Sequence, residues 1–195
     1  DDLATVIEHT GADDVVIVGF SMGGGEVARY MSRHGGKSVS KAVLVSSVVP
    51  FRLQTADNPL GTEQEAFDKT AAAILDDRPK FLTEFFHKFF GVGTLAHPVS
   101  QELLDWASHV SMQASLKATL ECLKSFSSTD FRGDLPFFKV PTLIIHGTED
   151  KTVPIEASAR EAAKGIADVT LIEYEGAAHG LFATAKAQLS NDLIG

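Results

Sequence analysis

Apolar residues follow two different periods along this chain. Four short runs, Val15–Gly19, Lys41–Ser46, Val140–Gly147 and Val169–Tyr174, are nearly continuous in β-branched and aliphatic residues. Such runs suit strands of a parallel sheet buried on both faces. Around them, apolar positions recur at three- and four-residue steps. This predicts helices over Asp1–His9, Glu26–Arg33 and Glu156–Lys164, and a last one from about Leu181. Gly11, Gly35-Gly36 and Gly165 are helix stop signals. Strands alternating with helices predict β-α-β units joined right-handed.

From 51 to 138 the pattern is helices and loops without a convincing strand. Phe81–Phe90 is dense in aromatics and ends at Gly91 and Gly93, and Leu103–Leu123, with Trp106, reads as helical. The chain therefore divides into an α/β core, 1–50 and 139–195, and a helical cap, 51–138. Stripes of Phe line cores more often than pockets. A cap must nonetheless cover something, and an apolar one excludes water and selects apolar substrate groups.

Composition narrows the field. The 195 residues are 44% apolar and 22% charged, a globular mixture, and bury about 70% of the unfolded surface. A formal charge of −9 argues against nucleic acid and anionic membranes as partners. No apolar run nears the ~18 residues of a membrane span, and no signal peptide opens the chain. The single cysteine, Cys122, forms no intrachain disulfide and is expected as a small buried hydrophobe; a soluble, cytoplasmic protein is the expectation.

The candidate chemistry begins at Gly19-Phe20-Ser21-Met22-Gly23, a Gly-x-Ser-x-Gly motif between a strand and a helix. In that context the motif reads as a nucleophile elbow. Strained backbone lifts the Ser21 hydroxyl over the strand end, at a helix amino terminus that favours developing negative charge. Side chains at Gly19 or Gly23 are expected to crowd the bend. Two further polar residues follow strand ends: Asp150 after the third strand and His179 after the fourth. Serine, acid, histidine is the α/β-hydrolase order, and groups after separate parallel strands converge at the carboxyl edge of the sheet. Ser21 needs a base, which His179 supplies, and Asp150 rather than Glu149 orients that imidazole. His9, His34, His87, His97, His109 and His146 show no metal-ligand spacing and read as solvent or packing residues, with His146 fixed at a strand end.

Beyond these residues the chain resembles the cofactor-free haloperoxidase and aryl esterase branch of the α/β-hydrolases. Gly19–Tyr30 (with three glycines after Ser-Met), Arg33-His34-Gly35, Phe126–Phe131, Val140–Gly147, Val153–Ser158 and Gly176–Leu181 carry the likeness, which covers nearly the whole chain. The resemblance implies catalytic Ser21, Asp150 and His179, and Met22 as first oxyanion N–H donor. It also implies hydrolysis of small or aryl esters through an acyl-enzyme, often with perhydrolysis and halide oxidation, and no metal, haem or other cofactor. Hydrogen peroxide and halide join the ester as small-molecule partners on this reading. A lactonase or a carbon–carbon hydrolase on the same triad, and a non-catalytic fragment binding apolar acyl compounds, remain open alternatives.

Relatives of that branch carry a further segment ahead of the position of Asp1, with a loop that supplies the second oxyanion N–H. The second donor is thus expected to be absent from these 195 residues, and Val15–Gly19 to present an open apolar edge. Such an edge recruits another chain or aggregates, so self-association, as a homo-oligomer for example, and weak stability of the isolated chain are expected.

Overall fold

The structure, a computed structural model, describes residues 1–194. Its elements, in chain order, open with α1 (Asp2–Thr10), β1 (Val15–Phe20), α2 (Gly23–Arg33) and β2 (Val39–Val45). Four helices follow: α3 (Gln64–Asp76), α4 (Arg78–Phe90), α5 (Gln101–Met112) and α6 (Leu116–Ser128). The chain then forms β3 (Thr142–Gly147), α7 (Ala159–Gly165), β4 (Val169–Tyr174), α8 (Leu181–Thr184) and α9 (Lys186–Ile194). The four strands make one parallel sheet in the order β1-β2-β3-β4.

Alternate residues of the central strands, β2 and β3, face opposite layers of helices. Ile17, Ala42, Leu44 and Ile144 point into a core built with α1, α2 and α7, through Ile7, Val27, Met31, Ala159 and Ala162. Val43, Val45 and Ile145 face the other way, onto Leu181 of α8 and Leu189 of α9. Among the described residues β1 pairs with β2 alone, and its Val16 and Val18 are about half exposed at 51% and 50%. The apolar run at β1 thus has one covered face and one bare one, whereas β2 and β3 are buried nearly throughout.

The 51–138 segment is helical, its only β contacts being the isolated bridges Leu53–Thr62 and Thr55–Asn58. Local chemistry sets its helix ends. Asp77 caps α4 by accepting from the Lys80 N–H at 3.0 Å, with Pro79 in the first turn, and Gly91 ends it at φ +73°. The helical stretch Leu103–Leu123 falls in two helices, because Ser115 turns the chain and caps α6 by accepting from the Ala118 N–H. A serine side chain competing for nearby amides favours this start over continuation. Similarly, Ser158 separates a 3₁₀ turn at Ile155–Ala157 from α7, where one helix over Glu156–Lys164 was expected. Phe86, Phe89 and Phe90 of α4 form a cluster with Leu104 and Ala107 of α5, and Phe20 of β1 packs against it. Cys122 is exposed rather than buried: the apolar face of α6 runs through Leu123, and the adjacent position looks outward.

The elbow glycines are needed in a different pattern from the one expected. A Cβ on Gly19 would lie 2.7 Å from the Gly23 oxygen and the Gly24 Cα, and one on Gly24 would lie 1.9 Å from Ser47 Oγ. A Cβ on Gly25 would lie 2.5 Å from the Phe131 ring, but nothing lies within 4 Å of one on Gly23. The backbone of α2 approaches β1 and the Ser47 loop so closely that Gly19, Gly24 and Gly25 carry the constraint. Gly19→Ala should lower the unfolding free energy by at least the ~1–3 kcal/mol typical of overpacking, because backbone cannot yield as a side chain does. Gly23→Ala should leave it unchanged or raise it by up to ~1 kcal/mol. Denaturant unfolding of the two variants checks both; equal losses would contradict the asymmetry.

Candidate active site

Ser21 sits where β1 hands over to α2. Its N–H donates to the Val45 carbonyl at 2.9 Å, and its own carbonyl accepts from the Gly24 and Val48 amides at 3.1 and 3.2 Å. These bonds hold the residue at φ +52°, a left-handed conformation that a non-glycine residue rarely adopts. The strain turns the side chain away from the sheet, beside the amino terminus of α2. Met22 is the N-cap of that helix, and its N–H donates to no group among the described residues.

Asp150 lies in the turn after β3 and is almost wholly buried. Its Oδ1 accepts from the Thr152 and Val153 amides at 2.9 and 2.8 Å, and its Oδ2 lies 2.6 Å from His179 Nδ1. The neighbouring Glu149 is exposed. Burial alone would push the Asp150 carboxyl up. Hydrogen bonds from His146 and His179, the charge interaction with His179 and the Val153 amide outweigh that effect and hold it far below the usual carboxylate range.

His179 follows β4 and is buried, with its other ring nitrogen, Nε2, 2.9 Å from Ser21 Oγ. Because Nδ1 faces a carboxylate, the proton belongs there, leaving Nε2 to accept from the serine hydroxyl. The loop that carries the histidine is anchored on both sides. Ser46 Oγ donates to the His179 carbonyl at 3.2 Å, and the Gly180 N–H donates to Phe89 of α4 at 2.9 Å. Gly147, at the end of β3, permits this arrangement, since a Cβ there would lie 2.2 Å from the Ala177 oxygen. That requirement had no local signal beyond a glycine after a strand.

Residues far apart in sequence thus converge into one hydrogen-bonded chain of hydroxyl, imidazole and carboxylate. Aromatic rings enclose the imidazole: Phe89 at 4.8 Å and Phe20 at 5.2 Å between centroids, with Phe182 packed against both. Phe182 remains about half exposed, so the apolar wall opens to solvent. His146, expected as a packing residue at a strand end, instead reaches the same carboxylate, with Nε2 3.3 Å from Asp150 Oδ2.

Comparison with known proteins accords with this architecture. The chain is 43% identical over 194 residues to a putative non-heme chloroperoxidase from Synechocystis sp., covering 99% of this chain and 70% of that protein. A bifunctional esterase/perhydrolase from Acinetobacter calcoaceticus is 36% identical over 200 residues, covering all of this chain and 71% of its own. The crystal structure of a bromoperoxidase from Bacillus anthracis superposes with a TM-score of 0.95 at 38% identity, over 99% of this chain and 70% of that one. The α/β hydrolase fold family matches residues 1–186, and with strand order, elbow and relatives in agreement, this chain belongs to the α/β-hydrolases.

Proposed function

We propose that Ser21, His179 and Asp150 form the catalytic triad of a serine esterase with perhydrolase activity. The observation that carries this reading is the hydrogen-bonded chain from the strained Ser21 through His179 to buried Asp150. A serine hydroxyl is a weak nucleophile near neutral pH, and His179 Nε2 is in position to take its proton as Ser21 Oγ attacks an ester carbonyl. Asp150 holds the ring by Nδ1 and stabilises the imidazolium that forms. The Met22 amide and the amino terminus of α2 face the oxyanion of the tetrahedral intermediate. Collapse of the intermediate expels the alcohol, protonated by His179, and leaves an ester on Ser21. Water, activated in turn by His179, hydrolyses it. Hydrogen peroxide in the same position releases a peracid, which oxidises halide in solution.

The helical segment 51–138 acts as a cap on this reading. It brings Phe89 to the imidazole, and with Phe20 and Phe182 it offers an apolar surface suited to aryl or small alkyl esters. The relatives named as a chloroperoxidase and as an esterase/perhydrolase support the same pair of activities. Among the described residues no helix is long and apolar enough to cross a membrane; a cytoplasmic location is part of this reading.

The test is covalent labelling with a fluorophosphonate, which reacts only with an activated serine. Labelling at Ser21 and competition by phenyl acetate are expected. In acetate buffer with peroxide and bromide, halide oxidation should persist with a chelator present and disappear in Ser21→Ala. Labelling elsewhere, or oxidation that survives the substitution, would refute the mechanism.

A further inference from the structure

Asp150 has a second imidazole on it. His146, the fifth residue of β3, is completely buried, and its Nε2 lies 2.8 Å from the Val153 carbonyl oxygen and 3.3 Å from Asp150 Oδ2. Both atoms in reach are acceptors, so Nε2 carries the hydrogen; it donates to the nearer Val153 carbonyl, with Asp150 Oδ2 beside it at 3.3 Å. The other ring nitrogen, Nδ1, is buried and has no partner among the described residues. Two amides occupy Asp150 Oδ1, and nitrogens of two imidazoles lie 2.6 and 3.3 Å from Oδ2.

We propose that His146 is a positioning residue for the triad acid: it fixes the Asp150 carboxylate so that Oδ2 meets His179 Nδ1, and ties that turn to the end of β3. The proposal rests on the triad assigned above. A residue that only filled space at this position would be aliphatic, since His146 has no access to water and its polar ring nitrogen contacts the acid turn. The strand places the ring, and the four-residue step from His146 to Asp150 spans the turn, so the donor arrives on the face of the carboxylate that the two amides leave open.

The charged surroundings are few. From the loop after β2, Arg52 is buried and places Nη2 3.2 Å from Thr62 Oγ1 and 3.3 Å from the Thr152 carbonyl, so it braces the same turn, and its charge interacts with Asp150. From β4, Glu173 stands opposite His146 in the strand register and is engaged by Arg160 at 2.7 Å. From the loop after β4 comes His179 itself. Among the described residues, His146 and His179 are the two whose side-chain nitrogens approach Asp150 Oδ2, at 3.3 and 2.6 Å.

The experiment compares His146→Leu with His146→Gln, using p-nitrophenyl acetate turnover across pH, with thermal unfolding measured alongside. The leucine variant should lose about 10–100-fold in kcat, as partners behind a reacting group usually do, with KM little changed. Its kcat/KM profile should shift on the acid side to higher pH. A carboxylate that loses the His146 N–H beside Oδ2 makes the His179–Asp150 pair hold its proton more tightly. The glutamine variant keeps an N–H near the Nε2 position and should recover most of the rate and the original acid limb. Wild-type kinetics in His146→Leu, or equal losses in both variants with an unmoved acid limb, would overturn the proposal. Ser21→Ala run in parallel separates the two readings. If that variant turns over normally, the triad assignment itself falls; if it is dead while His146→Leu is unimpaired, only the positioning role does.

Discussion

Replacing Ser21 by alanine is expected to lower ester turnover by about 10⁴–10⁶-fold, the loss seen when a triad nucleophile is removed. The substitution deletes the one oxygen placed 2.9 Å from His179 Nε2 and leaves the rest of the site in place. Stability should change by no more than about 1 kcal/mol, the net worth of one hydrogen bond. The Val45, Gly24 and Val48 bonds that impose the positive φ are all made by the Ser21 backbone and survive. Steady-state kinetics beside a thermal melt checks both halves. An inactive but unfolded variant would say nothing for the mechanism, whereas a folded variant with turnover within tenfold of wild type would refute it.

Asp150→Asn should cost about 10⁴-fold in kcat, because an amide N–H facing Nδ1 favours the tautomer in which Nε2 carries the proton and no longer accepts from Ser21. This variant also has a stability signature with a definite sign. Hydrogen bonds hold the Asp150 carboxyl below its ordinary value in the folded state despite burial. Ionised Asp150 therefore contributes stability that is present above the unfolded pKa, about 3.9, and is lost as pH falls through the lower folded value. The stability gap between wild type and Asp150→Asn should be flat near neutrality and close as the pH drops below about 4. Urea unfolding between pH 3 and 7 measures it, and a gap that widened toward acid would contradict the assignment.

Much of this was legible in the chain itself. Buried parallel strands announce themselves as continuous apolar runs, as at β2 and β3, and all four strands were visible at positions 15–19, 41–46, 140–147 and 169–174, although one face of β1 is bare. The serine turn was legible because its constraint is local: the backbone must bend within a few residues. Asp150 and His179 were readable from their places after strands three and four, since a parallel sheet sends its strand ends to one edge.

Contacts between segments were not legible. Gly23 matches the motif as well as Gly19 does, but it is Gly24 and Gly25 that join Gly19 as crowded positions, because Ser47 and Phe131 reach α2 from elsewhere in the chain. Cys122 sits in an apolar-looking helix, yet its exposure depends on which face of α6 meets α3. His146 looked like one more histidine at a strand end, and only the folded turn of residues 147–150 brings its ring onto the acid. Periodicity and turn chemistry are properties of a segment and its own neighbours, so the sequence determines them. Which side chains share a carboxylate, and which glycine lies under another backbone, depends on distances between segments remote in sequence, and those exist only once the sheet and its helices have packed.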